Sequence, residues 1–124
     1  MKTIIATKKA PAALGPYSQA VVTDGTLYAS GQIGIDPATG ELKSTFEEQV
    51  RQIMENMGAV LKEAGFDYKD VVKTMIFVAD MDKFSVLNDI YGSYFTENPP
   101  ARSCVEAARI PKDALAEIEF IARK

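Results

Sequence analysis

The stretch Val71-Val-Lys-Thr-Met-Ile-Phe-Val-Ala79 does most to limit the fold, because it reads as a strand with two apolar faces. Alternation puts Val72, Thr74, Ile76 and Val78 on one face, and Val71, Met75, Phe77 and Ala79 around Lys73 on the other. Such a strand needs cover on both sides. The rest of the chain offers two helices. Phe46, Val50, Ile53, Met57, Val60, Leu61 and Ala64 fall at helical spacing and predict a first helix over about 45–64, with Ser44 and Glu47 as a capping box and Gly65 at its stop. Phe84, Leu87, Tyr91, Tyr94 and Phe95 predict a second over about 83–96, with Asp82 as candidate cap.

The remaining apolar runs are short and read as strands. Asp24-Gly25 is a favoured pair for a two-residue hairpin turn, so strands are expected over about 17–23 and 26–31. The turn formers from Gly31 to Gly40 predict a loop. Two last strands, over about 103–109 and 115–122, flank Pro111-Lys112-Asp113. This order implies an α+β fold over 1–124 as one domain, a single sheet with two helices on one face. The other face stays apolar and uncovered, which predicts self-association without fixing the number of copies.

Composition narrows the chemistry. The 124 residues contain no histidine and a single cysteine, so histidine-dependent triads, a disulfide framework and an ordinary zinc site within the chain are excluded. There is no Walker-type loop and no Gly-x-Gly-x-x-Gly stretch. No cofactor and no metal are expected; carboxylates, tyrosines, arginine, backbone groups and water remain. A formal charge of −3 without a Lys/Arg cluster argues against nucleic acid. No apolar run approaches the roughly 20 residues of a membrane span, and the N-terminus lacks an apolar signal core, so a cytoplasmic protein away from membranes is expected.

One arginine stands out. Arg102 follows Pro99-Pro100-Ala101 and opens an apolar strand, where its planar fork can hold a carboxylate in two parallel hydrogen bonds. From its chemistry alone, a salt bridge closing the strand end is an equal alternative. The segment PARSCVEAARIPKDALAEIE is similar to the signature of the Rid (YjgF/YER057c/UK114) family of enamine/imine deaminases. The similarity continues through Ala10-Pro-Ala-Ala-Leu-Gly-Pro-Tyr17-Ser-Gln-Ala, Ser30-Gly-Gln-Ile33, Pro37-Ala-Thr-Gly-Glu41 and Val86-Leu-Asn-Asp-Ile-Tyr91, nearly the whole chain.

That resemblance implies a chorismate-mutase-like (YjgF-like) subunit with a mixed sheet, a homotrimer, and ligand clefts between subunits. It implies hydrolysis of 2-aminoacrylate/2-iminopropanoate and 2-iminobutanoate to 2-keto acids and ammonia. Arg102 would bind the substrate carboxylate and Glu117 would activate water, with Tyr17, Ser30, Gly31, Asn88 and the backbone at Cys104 lining the cleft. The other readings of the residues stay open: Tyr17 as core, Asn88 as a solvated helix residue, Cys104 as a small buried hydrophobe. Two other functions stand beside deamination: a trimer that senses keto or imino acids, and an endoribonuclease. Gly34 stands where many relatives have proline, which predicts a more mobile loop after Gln32. If the last two strands form a plain hairpin, Glu117 lies about 16 Å from Arg102, at roughly 3.3 Å per residue, which favours a site shared between chains.

Overall fold

The structure, a computed structural model, describes residues 1–124. The elements run β1 (Thr3–Ile5), β2 (Ala20–Thr23), β3 (Thr26–Gln32), α1 (Phe46–Glu63), β4 (Val71–Val78), α2 (Phe84–Tyr94), β5 (Ala101–Glu106) and β6 (Ala116–Arg123). They build an α+β fold with one mixed six-stranded sheet in the order β1-β2-β3-β6-β4-β5, antiparallel except for the β4–β5 pair. Both helices pack on the same face, where Ile76, Val78, Ala116, Ile118, Phe120 and Ala122 meet Val50, Ile53, Met57, Val60, Leu61 and Leu87. Each large apolar side chain buried there contributes about 1.5–3 kcal/mol.

Several expectations are corrected. β1 was not foreseen, since three residues are too few to show a period. The last two strands do not form a hairpin: β4 lies between β5 and β6. The expected 71–79 alternation is broken by a register shift between Val71 and Lys73. Val71 therefore joins the core, and Val72 is 48% exposed. Thr45 and Glu48, not Ser44 and Glu47, form the capping box, with Thr45 Oγ1 accepting from Glu48 N–H at 3.2 Å. Both pairs fit the motif, and the choice between them follows the burial of Phe46, at the first helical position, in the core. Asp80 rather than Asp82 accepts at the entry to the second helical segment, bonding Asp82 N–H at 2.9 Å ahead of a 3₁₀ turn over Met81–Lys83.

The turns follow their residues. Asp24 (φ 49°) and Gly25 (φ 76°) both take positive φ, as a primed hairpin turn requires. At the end of α1, Gly65 (φ 81°) donates to Lys62 O and Phe66 N–H to Leu61 O, a Schellman stop.

Candidate functional site

The structure sorts the singled-out residues into two groups. In the first, Arg102 is the second residue of β5, an edge strand, and its side chain lies on the helix side of the sheet. Phe84, Asn88 and Tyr91, on one face of α2, receive it: the guanidinium carbon sits 5.2 Å from the Phe84 ring centroid and 4.9 Å from that of Tyr91. Nη2 donates to Asn88 Oδ1 at 2.5 Å. Tyr91 is itself fixed by a 2.8 Å hydroxyl contact with the buried Thr74. Arg102 makes no ion pair in the chain, whose two salt bridges are Lys43–Asp36 and Arg109–Asp113, so the strand-closing salt bridge does not form. Pro99, Pro100, Gly92 and Phe95 complete a shallow cleft of about 310 Å³.

Asn88 is thus a holder of the guanidinium, not a solvated bystander. In the sequence Phe84 and Tyr91 mark the apolar stripe of a helix, and neither stands out as a partner of Arg102. Their spacing with Asn88, four and then three residues, is the signal that they share a face and can cradle one cation. Cys104 follows two residues after Arg102 on the same side of β5. Burial pushes its thiol pKa up, an effect that Arg102 partly opposes.

The second group gathers around Glu117, on the opposite, helix-free side. Tyr17, Ser30, Gly31 and Glu117 line a cleft of about 350 Å³ together with Leu14, Gln32 and Lys112. Tyr17 is 54% exposed at the tip of the loop over 14–18, so it is not core. That loop is tied down by Ser30 Oγ, which donates to Ser18 O at 2.7 Å, and the segment before it by Gln19, whose amide bonds Thr7 and Pro11. Glu117 is half-buried, and desolvation, with a smaller push from the Glu119 charge, raises its pKa above the usual carboxylate value.

Gly31 makes room for that carboxylate. β3 shifts register between Ala29 and Gln32, and a Cβ on Gly31 would stand 2.5 Å from Glu117 Oε2. Gly31→Ala should therefore displace Glu117 and shift the pH at which its carboxyl titrates, read by carbon-13 NMR, while far-UV circular dichroism stays native. An unchanged Glu117 titration in that variant would show that the carboxylate does not depend on the space Gly31 leaves.

Gly34 sits where the loop over 33–43 comes against α1. A Cβ there would lie 2.5 Å from Gln49 Cα, and Asn56 Nδ2 donates to both Ile33 O and Ile35 O, so glycine marks a close approach to α1.

The two groups do not meet within one chain. Arg102 is level with Thr74 and Glu117 with Phe77, on strands flanking β4. Three residues along and two strands across place their Cα atoms roughly 14 Å apart, with side chains on opposite faces.

Comparison with known proteins agrees with this architecture. The family model for endoribonuclease L-PSP matches residues 7–124. A solved structure of a conserved Rid-family protein from Yersinia pestis is 50% identical over the full length of both chains and superposes with a TM-score of 0.98. The chain belongs to the Rid family. Human 2-iminobutanoate/2-iminopropanoate deaminase is 48% identical over 98% of this chain and 90% of its own. TdcF of E. coli, solved with bound serine, is 39% identical over 98% of both chains with a TM-score of 0.95. Tyr17, Gly31, Arg102 and Glu117 all fall inside the matched region.

Proposed function

We propose that this protein hydrolyses short 2-imino acids, in tautomeric exchange with 2-aminoacrylate-type enamines, to 2-keto acids and ammonium, in clefts between the subunits of a homotrimer. The observation that carries the reading is Arg102, a guanidinium cradled on two rings and an amide and free of any carboxylate in its own chain. A carboxylate-bearing metabolite is its natural partner. The human relative is named for imino-acid deamination, and the TdcF structure holds an amino acid.

In this mechanism Arg102 fixes the substrate carboxylate and backbone groups near Cys104 orient the imine nitrogen. Glu117 takes a proton from water as the oxygen attacks C2. That proton passes to the imine nitrogen to give the neutral carbinolamine; Glu117 then takes the hydroxyl proton as the keto C=O forms and delivers it to the nitrogen as the C–N bond breaks, and ammonia leaves, to be protonated to ammonium in water. A base with a raised pKa suits this proton shuttle near neutrality. The test follows keto-acid release from enzymatically generated 2-aminoacrylate and 2-iminobutyrate with and without the protein. Acceleration is expected; tight keto-acid binding without acceleration would make the protein a sensor.

The subunit arrangement rests on two features. Ile4, Tyr28 and Val105, exposed by 53%, 47% and 42%, join Met75, Phe77 and Ile121 on the helix-free face, an apolar surface that a neighbouring copy would cover. Arg102, at the rim of the same sheet, would then reach the Glu117 cleft of the adjacent subunit. Sedimentation equilibrium should give three times the 13.5 kDa chain mass at micromolar concentration. Phe77→Glu should give inactive monomers with native far-UV circular dichroism. A stable wild-type monomer would defeat both the trimer and the shared site.

A further inference from the structure

Two amide side chains on the inner face of α1, Gln49 and Asn56, hold the segments that wall the Glu117 cleft. They are 2% and 0% exposed. Gln49 Nε2 donates to Lys43 O at 2.9 Å, and its Oε1 accepts from Leu115 N–H at 2.8 Å. Lys43 N–H in turn donates to Gly34 O at 2.9 Å. Asn56 Nδ2 bonds Ile33 O and Ile35 O at 3.3 and 3.1 Å, while its Oδ1 accepts from Gln52. Gln32, Ile33 and Ile35, and Pro111 and Lys112 from the other side of Leu115, line the cleft with Glu117.

Leu115 precedes β6 and comes two residues before Glu117. Its N–H takes its partner from a side chain on α1. An apolar helix face would avoid the requirement that both ends of a buried amide be satisfied, yet Gln49 meets it with backbone groups from two separate segments, the loop over 33–43 and the residue just before β6. The helix thereby ties that loop and the start of β6 to one side chain.

We propose that Gln49 is a positioning residue for Glu117, fixing the carboxylate against Gly31 by clamping Leu115 and the loop over 33–43 to α1. The inference rests on the reading of Glu117 as the base. It goes beyond that reading by giving a distant helix residue a share in catalysis without contact with substrate.

Gln49→Met keeps the side-chain length and removes both hydrogen bonds. It should lower kcat by about 10–100-fold, the scale of an ångström-sized misplacement, and leave pyruvate affinity unchanged because Arg102 is untouched. Carbon-13 NMR titration of the Glu117 carboxyl should show it titrating at lower pH than in wild type, as the loosened cleft admits water. Gln49→Glu supplies a second arm. When neutral, its carboxyl offers the same donor and acceptor as the amide; when ionised it cannot donate to Lys43 O. Its rate relative to wild type should therefore be near one at acid pH and fall as pH rises.

A lower melting temperature with kcat and the Glu117 titration unchanged would overturn the proposal and leave Gln49 a purely structural residue. If wild type fails to accelerate imine hydrolysis, the deaminase reading falls. The NMR titration in the two variants still decides the clamp, since it requires no turnover.

Discussion

Arg102→Lys should lose most imine hydrolysis while its far-UV circular dichroism stays native. The cradle of Phe84, Tyr91 and Asn88 is shaped for a flat cation that stacks and still presents two parallel N–H groups. An ammonium keeps the charge and loses the fork. A hydrogen bond to a charged group is worth about 1.5–3 kcal/mol, so the loss of one prong lowers kcat/KM by roughly 10–150-fold. Arg102→Ala does at least as much damage and also forfeits ring contacts of about 0.5–1 kcal/mol each. The assay is keto-acid release from 2-iminobutyrate across a range of substrate concentrations. Near-normal turnover by the lysine variant would reduce Arg102 to a diffuse positive charge.

Glu117→Gln separates chemistry from binding. It keeps size and polarity but cannot accept the proton, so hydrolysis falls by about 10²–10⁴-fold, less where bulk water already hydrolyses the imine, while pyruvate binding persists. Stability moves the other way. The Glu117 pKa is raised in the fold by desolvation first and Glu119 second, so the folded state binds this proton more tightly than the unfolded chain does. Wild-type stability therefore declines as pH rises from the ordinary carboxylate value of 4.5 through the raised folded value. The glutamine variant escapes that decline, so it should melt higher than wild type at neutral pH, with the advantage gone once both forms are neutral in acid. Wild-type kcat/KM, needing the ionised base, should drop on the acid side with a midpoint above 4.5. Cys104→Ala should leave rate and binding alone. A dead alanine variant beside an active Glu117→Gln would move the chemistry to the thiol.

The helices were legible because their apolar residues repeat over enough turns to outvote single positions, and Asp24-Gly25 announced its hairpin by chemistry alone. Capping was ambiguous by one residue because Ser44-x-x-Glu47 and Thr45-x-x-Glu48 both satisfy the motif; only the burial of Phe46 chooses. Strand order was not legible. Nothing local in 101–106 tells that strand to run parallel beside 71–78 rather than antiparallel beside 116–123, since all three carry similar alternation. The division of the site follows from that order. The side of the sheet taken by Arg102 and by Glu117 depends on register with β4, which no short motif encodes. The supporting residues Phe84, Tyr91, Gln49 and Asn56 carried a readable spacing but no sign of what they would face.

The placement of β6 carries a consequence for folding. β6 follows the other five strands in the sequence yet is an interior strand, paired with β3 on one side and β4 on the other. Without residues 116–123, β3 and β4 would each lack the neighbour that this strand order gives them. Such unpaired edges are open to pairing with any passing strand. Because Glu117 lies on β6, the strand that joins the two parts of the sheet also brings in the residue proposed as the base.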